Sequence, residues 1–322
     1  MRTRARLAAV LACLLAASAA WAQQYPSRPI HWVVPYTPGG ITDSVTRIVA
    51  NKLEAALGQP IVIENKPGAN SIVGVESVAR SAPDGYTALT VIAAHAANAT
   101  LYTGKLAFDP VKSFAPISLV GVAPLILTVT NDFPARDVKE LIEYARANPG
   151  KVSFGSSGVG AAAHLTTELL AQTANIQMVH VPYKGTAPAL TGLLAGDIQV
   201  LVDVPSSMMP HVRAGKIRAL GLFASRRSPG APDVPTLVEA GGPPVEGSTW
   251  VLFLAPAGTP REIVARLSAE TAKVLAMPEI RARFEQLGVE PGGGTPAEAA
   301  RFLDAEIEKW ARVITTAKVK PE

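Results

Sequence analysis

Two glycine-rich stretches hold the residues whose types and spacing suit chemistry, and that chemistry is anion binding. The first is Pro35-Tyr36-Thr37-Pro38-Gly39-Gly40-Ile41-Thr42-Asp43. It follows an apolar run at 30–34 and precedes Val45, Ile48, Val49, Leu53, Ala56 and Leu57, which recur at helical spacing. Glycines let the backbone approach a ligand, and Thr42 or Asp43 is placed to cap the helix. The helix start leaves free N–H groups at its positive dipole end. The second stretch is Ser153-Phe154-Gly155-Ser156-Ser157-Gly158-Val159-Gly160, again between a strand-like run and a helical one. One helix end contributes only about 0.3–1 kcal/mol to holding an anion, so several charge-assisted N–H bonds must act together. Each turn alone reads equally well as a tight strand-to-helix connection. Facing each other from two lobes, the pair can hold both ends of a small dianion.

The same residues fit enzyme chemistry poorly. Gly158-Val159-Gly160-Ala161-Ala162-Ala163 matches the loose G-x-G-x-x-A dinucleotide pattern, but no acid ends the next strand-like run, 177–181, to meet a ribose. Val159 stands where a nucleophile elbow needs its last glycine. His31, His95, His164, His180 and His211 show no metal-ligand spacing, and no phosphate-binding loop with its lysine occurs. The reading is of a binding protein with no catalytic residue, no metal and no cofactor.

Elements that would position the two turns alternate along the chain. Strand-like runs fall at 30–34, 61–64, 87–92, 117–120, 125–130, 151–154, 177–181, 198–203, 217–223 and 250–254. Helical patterns lie between many of them, as at 137–147, 161–172 and 186–195. Such alternation predicts α/β architecture, with mostly parallel sheets covered by helices on both faces. The Pro/Gly-rich stretch 228–247 reads as a connector. Thr259-Pro260-Arg261-Glu262 and Thr295-Pro296-Ala297-Glu298 both fit a capping box with proline at the first helical position. Phe302, Leu303, Ile307, Trp310 and Ile314 form one apolar stripe that should pack on a lobe.

At the amino terminus, Arg2, Arg4 and Arg6 precede an apolar run at 7–20 and the sequence Ala20-Trp21-Ala22. This reads as a secretory signal cleaved after Ala22, leaving a soluble exported protein. Three of the 30 basic residues and none of the 26 acidic ones lie in it, so cleavage lowers the net charge from +4 to +1. That value gives no support for nucleic-acid or membrane-surface binding. The single cysteine, Cys13, leaves with the signal.

An ordered series of short motifs carries a resemblance. It runs through Tyr25-Pro26-Ser27-Arg28-Pro29-Ile30, the Pro38-Gly39-Gly40 turn, Glu64-Asn65-Lys66-Pro67-Gly68-Ala69 and Ala82-Pro83-Asp84-Gly85-Tyr86-Thr87. Val181-Pro182-Tyr183-Lys184-Gly185, Ala214-Gly215-Lys216-Ile217-Arg218-Ala219-Leu220 and Asp233-Val234-Pro235-Thr236-Leu237 extend it. In order and spacing these resemble the substrate-binding receptors of the tripartite tricarboxylate transporter family, the Bug receptors. The resemblance implies a type II periplasmic-binding-protein fold, two α/β lobes joined by two crossing strands. Residues 23–123 and 250–322 would form lobe 1, and 124–249 lobe 2. It also implies a small carboxylate held largely by main-chain groups and water, from loops matching 36–43 and 155–160. The expected partner is a membrane permease, with the receptor monomeric. The same fold feeding a signalling receptor is the rival reading.

The expected ligand-binding residues are therefore Tyr36, Pro38, Gly39, Gly40, Thr42 and Asp43 in the first turn, and Gly155, Ser156, Ser157, Gly158 and Gly160 in the second. Tyr183 and Lys184 could add a hydroxyl and a positive charge. His95 reads either as a cleft residue or as a structural histidine, and Asp203 either as a helix cap or as a ligand contact. Ala93 and Ala94 stand where relatives often carry Ser or Thr, which predicts a less polar lobe-1 wall and a ligand less hydroxylated than citrate.

Overall fold

The computed structural model describes residues 25–321; the proposed signal segment and its cleavage site lie outside them. The chain runs β1 (Ile30–Val34), α1 (Ile41–Leu57), β2 (Ile61–Asn65), α2 (Ile72–Ala79), β3 (Thr87–Val91), α3 (Ala93–Leu101) and β4 (Phe114–Pro124). A second lobe follows: β5 (Ile126–Thr130), α4 (Val138–Ala147), β6 (Val152–Ser156), α5 (Ala162–Ala174), β7 (Met178–Pro182), α6 (Thr186–Ala195), β8 (Val200–Asp203), α7 (Pro205–Arg213) and β9 (Ile217–Leu222). The chain then returns to the first lobe with β10 (Ser248–Pro256), α8 (Arg261–Ala276), α9 (Pro278–Gln286), β11 (Glu290–Gly293) and α10 (Pro296–Ala317).

Two sheets result, in the orders β11-β4-β10-β3-β1-β2 and β7-β6-β8-β5-β9. They are mixed rather than mostly parallel. β1 runs parallel to β2 and β3, and β6 to β7 and β8. β10 is antiparallel to β3 and β4, β11 to β4, and β5 to β8 and β9. The crossover rule holds within each strand–helix–strand run. It fails where a strand enters from the other lobe, because a crossing strand arrives from the opposite end of the sheet.

The crossing itself is hydrogen-bonded. Leu125 N–H donates to the Gly247 carbonyl at 3.0 Å, Gly247 N–H to Phe223 at 2.9 Å, and Phe223 N–H to Leu125 at 2.9 Å. Both lobes thus meet in a short lattice of main-chain bonds around 125 and 247.

Packing follows from the apolar runs. Trp32 on β1 is fully buried, stacks edge-on against Phe253 of β10 and donates its indole N–H to Thr90 Oγ1 at 3.0 Å. The predicted stripe of α10 is buried through Leu303, Trp310 and Ile314. Glu306, itself buried, accepts the indole N–H of Trp250 at 2.7 Å and of Trp310 at 2.9 Å, tying α10 to β10. The Thr295 capping box is present, with Thr295 Oγ1 and the Glu298 carboxylate each accepting from the other's backbone N–H. The Thr259 box is not: Pro260 occupies the N-cap, and Thr259 Oγ1 instead donates to the Pro256 carbonyl at 2.8 Å. A hydroxyl already bonded one turn back has no reach to the helix start.

Candidate functional site

A cleft of about 780 Å³ opens between the lobes. Five helices begin on it. Gly40 and Ile41 open α1, Ile92 and Ala94 open α3, Ala161 and Ala162 open α5, Gly185 and Thr186 open α6, and Val204 and Ser206 open α7. None of the five carries a side-chain cap. Among the described helices only α4 and α10, elsewhere in the fold, have one. Uncapped first turns leave N–H groups without a side-chain acceptor, those of His95 and Ser207 bonding back to the Ile92 and Val204 carbonyls, and five positive dipole ends converge on one volume.

The first turn is built for this. Gly39 has φ +85°, open to glycine at no cost, and Gly40 is extended at the N-cap. Tyr36, Gly39, Gly40 and Thr42 line the cleft, while Pro38 is exposed at the tip outside the lining. Asp43 neither caps α1 nor lines the cleft. Its carboxylate accepts the Gly39 N–H at 3.0 Å, Arg47 Nε at 3.0 and 2.9 Å, and Asn65 Nδ2 at 2.9 Å, pinning the turn from behind. Burial works against its charge, but those donors outweigh burial and hold the carboxyl below its usual range. Arg47, half exposed, bridges Asp43 to Asn65 through a second bond of 2.9 Å. Burial pushes the Tyr36 phenol up, and its hydroxyl is enclosed without a hydrogen-bond partner among the described residues.

His95 is structural. Its Nε2 lies 2.8 Å from the Pro110 carbonyl, its ring stacks with Phe108, and burial lowers its pKa to about 4 against the opposing effect of that carbonyl. The next residue toward the helix start, Ala94, faces the cleft instead. Of the two wall alanines only Ala94 lines it, since Ala93 is buried in the lobe core.

In the second turn Ser157 alone of the predicted residues lines the cleft. Ser156 is fully buried and braces the loop: its Oγ donates to the Gly158 carbonyl at 3.0 Å, accepts the Gly158 N–H at 3.2 Å and meets His180 Nε2 at 2.7 Å. Gly155 is a packing glycine, because a Cβ there would lie 2.3 Å from Ile198 Cδ1. Gly158 and Gly160 adopt φ +140° and +76°. A Cβ on Gly160 would sit 2.6 Å from Leu101 Cδ1 in the first lobe, so this glycine marks a contact between lobes. Tyr183 turns away from the cleft and lays its hydroxyl against Gly192, where a Cβ would come within 2.3 Å. Lys184 does line the cleft, at its exposed rim.

Asp203 lines the cleft with a buried carboxylate. Val204, not Asp203, is the N-cap of α7. Oδ1 accepts the Val204 N–H at 2.7 Å and Oδ2 the Thr186 hydroxyl at 2.7 Å. Burial raises its pKa against the effect of both bonds.

Sequence reasoning missed Asn70, which also lines the cleft. It lies in a run of three non-glycine residues with positive φ, Ala69, Asn70 and Ser71. Such strain persists where surrounding bonds over-determine it: Asn70 Nδ2 donates to Asn98 Oδ1 at 2.9 Å, and Asn98 Nδ2 returns a bond to the Asn70 carbonyl at 2.8 Å. Asn immediately after Gly-Ala was the available signal. Among the described residues no group of histidine, cysteine and carboxylates is arranged to hold a metal, and no helix is long and apolar enough to cross a membrane.

Residues 45–319 match the model of the tripartite tricarboxylate transporter family receptor, TctC. The chain belongs to this family. The receptor is 38% identical over 315 residues to the UPF0065 protein in the tcbD-tcbE intergenic region of Pseudomonas sp. strain P51, covering 97% of this chain and 94% of that one. Among solved structures it resembles Rpa4515 of R. palustris with adipate, at 35% identity and a TM-score of 0.83, covering 92% of this chain and all of the other. It also resembles the periplasmic binding protein BugD, at 34% identity and a TM-score of 0.79 over the same share. The family is one of solute-binding receptors rather than enzymes, and its two-lobed fold is that of this chain.

Proposed function

We propose that this receptor captures a small carboxylate in the interlobe cleft, mainly through main-chain N–H groups, and delivers it to a membrane permease of the tripartite tricarboxylate type. One observation carries the reading: five uncapped helix starts, three from the second lobe and two from the first, surround a cleft whose lining contains one exposed lysine and no arginine. Oriented N–H groups in a desolvated site bind an anion without a side-chain cation. A similar protein was solved with adipate, a dicarboxylate, which supports the ligand class.

Capture works by closure. Each lobe supplies part of the site, so only the closed form satisfies the whole ligand, and ligand shifts the population toward it. The moving bodies are residues 23–123 with 250–322, and residues 124–249. The division is supported by the change of sheet between Pro124 and Ile126 and between Leu222 and Ser248. The chain is exported by its amino-terminal signal, cleaved after Ala22, and acts as a periplasmic monomer. The ligand-contacting residues are Tyr36, Gly39, Gly40, Thr42, Asn70, Ser157, Thr186, Lys184 and Asp203.

The test is a thermal-shift series on the mature chain, unfolded and refolded to strip carried-over ligand, against mono-, di-, tri- and aromatic carboxylates. Stabilisation should saturate with concentration as RT ln(1 + [L]/Kd), reaching about 2.7 kcal/mol at a hundredfold excess over Kd. A folded protein with no shift across the panel would overturn the reading.

A further inference from the structure

Helix α5 belongs to the second lobe by chain order, yet it is packed between the two. Ala163, Leu170 and Ala171 share a core with Phe154 of β6 and Val200 of β8. On the opposite face Leu165, fully buried, enters the first-lobe core that holds Trp250 and Trp310. Gln172 Nε2, on that same face, donates to the Val313 carbonyl of α10 at 3.1 Å. Between the two faces Thr166 meets the crossing of the lobes at Gly247. A Cβ on that glycine would lie 2.1 Å from Thr166 Cγ2 and 2.5 Å from its Oγ1.

Thr166 is wholly buried, and its hydroxyl has no hydrogen-bond partner among the described residues. A helical threonine can turn its hydroxyl back to the carbonyl four residues earlier, and Thr46, Thr167, Thr173, Thr191 and Thr271 all do so. Thr166 faces the crossing instead. There Gly247 is already engaged, its N–H with the Phe223 carbonyl and its own carbonyl with the Leu125 N–H. A buried hydroxyl left unmet is more unfavourable than a made bond is favourable. The arrangement that holds it so is a closed one. A Cβ on Gly160 would lie 2.6 Å from Leu101 Cδ1 and 3.6 Å from Asn70 Nδ2, and a Cβ on Gly288 would lie 3.6 Å from Pro205 Cβ. Each contact joins opposite lobes, and opening the cleft parts both.

We propose that the Thr166 hydroxyl sets the resting balance of the receptor, disfavouring the closed form until a ligand offsets it. This rests on capture by lobe closure, argued above, and adds what opposes that closure. Leu125 and Thr249, which flank the crossing, line the cleft. Opening therefore brings water to the crossing and gives the hydroxyl a partner. The ligand-free chain is then mainly open, and its apparent affinity is reduced by the fraction closed. The reduction is the same for every ligand, because it acts on closure and on no contact in the cleft.

Thr166→Val keeps the side-chain shape and removes the hydroxyl. By small-angle scattering the ligand-free variant should have a smaller radius than the parent. In calorimetric titration with adipate, succinate, citrate and benzoate, every acid the parent binds should bind at least about fivefold more tightly, by one common factor. Gly247→Ala, whose Cβ meets Thr166 in the closed form, should act in the opposite sense, with a larger ligand-free radius and weaker binding of each acid. A parent-like radius and affinity in Thr166→Val would overturn the proposal; a water enclosed with the hydroxyl in both forms would produce that result. A gain confined to one acid would overturn it as well. If no acid binds the parent, the carboxylate reading falls, while the ligand-free radii still decide the role of Thr166. Should Thr166→Val not fold, a parent-like radius in Gly247→Ala is the overturning result and a larger one the supporting result.

Discussion

The rings of His164 and His180 lie face to face beneath the second glycine turn, 3.6 Å between centroids and 9° from parallel. Each holds the turn at one point: His164 Nδ1 accepts the Gly160 N–H at 3.1 Å, and His180 Nε2 meets Ser156 Oγ at 2.7 Å. An imidazole that accepts at Nδ1 carries its proton on Nε2, here directed toward Glu168 at 3.8 Å. The turn is therefore held by uncharged rings.

Acid should loosen the fold well above the range in which carboxylates titrate. Burial, and then the neighbouring His164, lower the pKa of His180 to about 3, and burial lowers that of His95 to about 4. In the unfolded chain both return to about 6.5. Below that pH the unfolded state binds more protons than the folded one. The stabilisation from keeping both neutral is full above about 6.5 and falls progressively toward the folded values. Asp43 and Glu64, whose folded values are lowered, withdraw their contribution only below the ordinary carboxylate range. Melting temperatures of the ligand-free protein should begin to drop between pH 6.5 and 5. A flat profile across that interval would contradict the neutral-histidine geometry.

Asp43→Ala should weaken both the fold and the site. It removes the acceptor for Gly39 N–H, Arg47 and Asn65 at once, and Arg47 is half exposed and rehydrates. A loss of about 1–3 kcal/mol in urea denaturation is expected, with weaker ligand binding because the turn is no longer pinned. Unchanged affinity at reduced stability would show that the turn holds its shape unaided.

Gly160→Ala puts a Cβ against Leu101 of the opposite lobe at a backbone conformation costly for other residues. Strain of about 1–2 kcal/mol is expected, together with a wedge between the lobes. Small-angle scattering should report a larger radius with ligand bound than for the parent, and affinity should fall.

Ala94→Ser and Ala93→Ser separate the wall from the core. Ala94 faces the cleft, so a hydroxyl there should shift preference toward more hydroxylated acids. Ala93 is fully buried, so its variant should lower stability by about 1–3 kcal/mol, the cost of an unpaired hydroxyl, and leave preference alone. Identical ligand profiles for both variants would remove Ala94 from the wall.

Most strands were legible because apolar runs bounded by turn residues define them; β1 spans the same residues in sequence and structure. β11 was not, since Glu-Pro-Gly-Gly has the composition of a turn. It pairs with β4 because Gly292 can approach Leu119 so closely that a Cβ would lie 2.5 Å from the carbonyl oxygen. The two glycine turns marked the right region of the site, but glycines say only that the backbone turns sharply. Gly39 and Gly40 line the cleft, whereas Gly155 and Gly160 are glycines for packing. The start of α3 carried no signal, because an uncapped N-terminus has no side-chain signature, whereas α6 was legible over the same residues, 186–195. Ala94 lines the cleft and His95, the next residue, bonds to the Pro110 carbonyl in the lobe, and only the helix phase distinguishes them.

The placement of the indoles makes the molecule optically one-sided. Trp32, Trp250 and Trp310 sit on β1, β10 and α10, all in the first lobe, and residues 124–247 contain no tryptophan. Intrinsic emission therefore watches one half of the receptor. If the lobes melt separately, a fluorescence curve records only the first, and circular dichroism, which sees the helices of both, will disagree with it by the share belonging to the second. Ligand, by clamping the two halves together, should bring the curves into register.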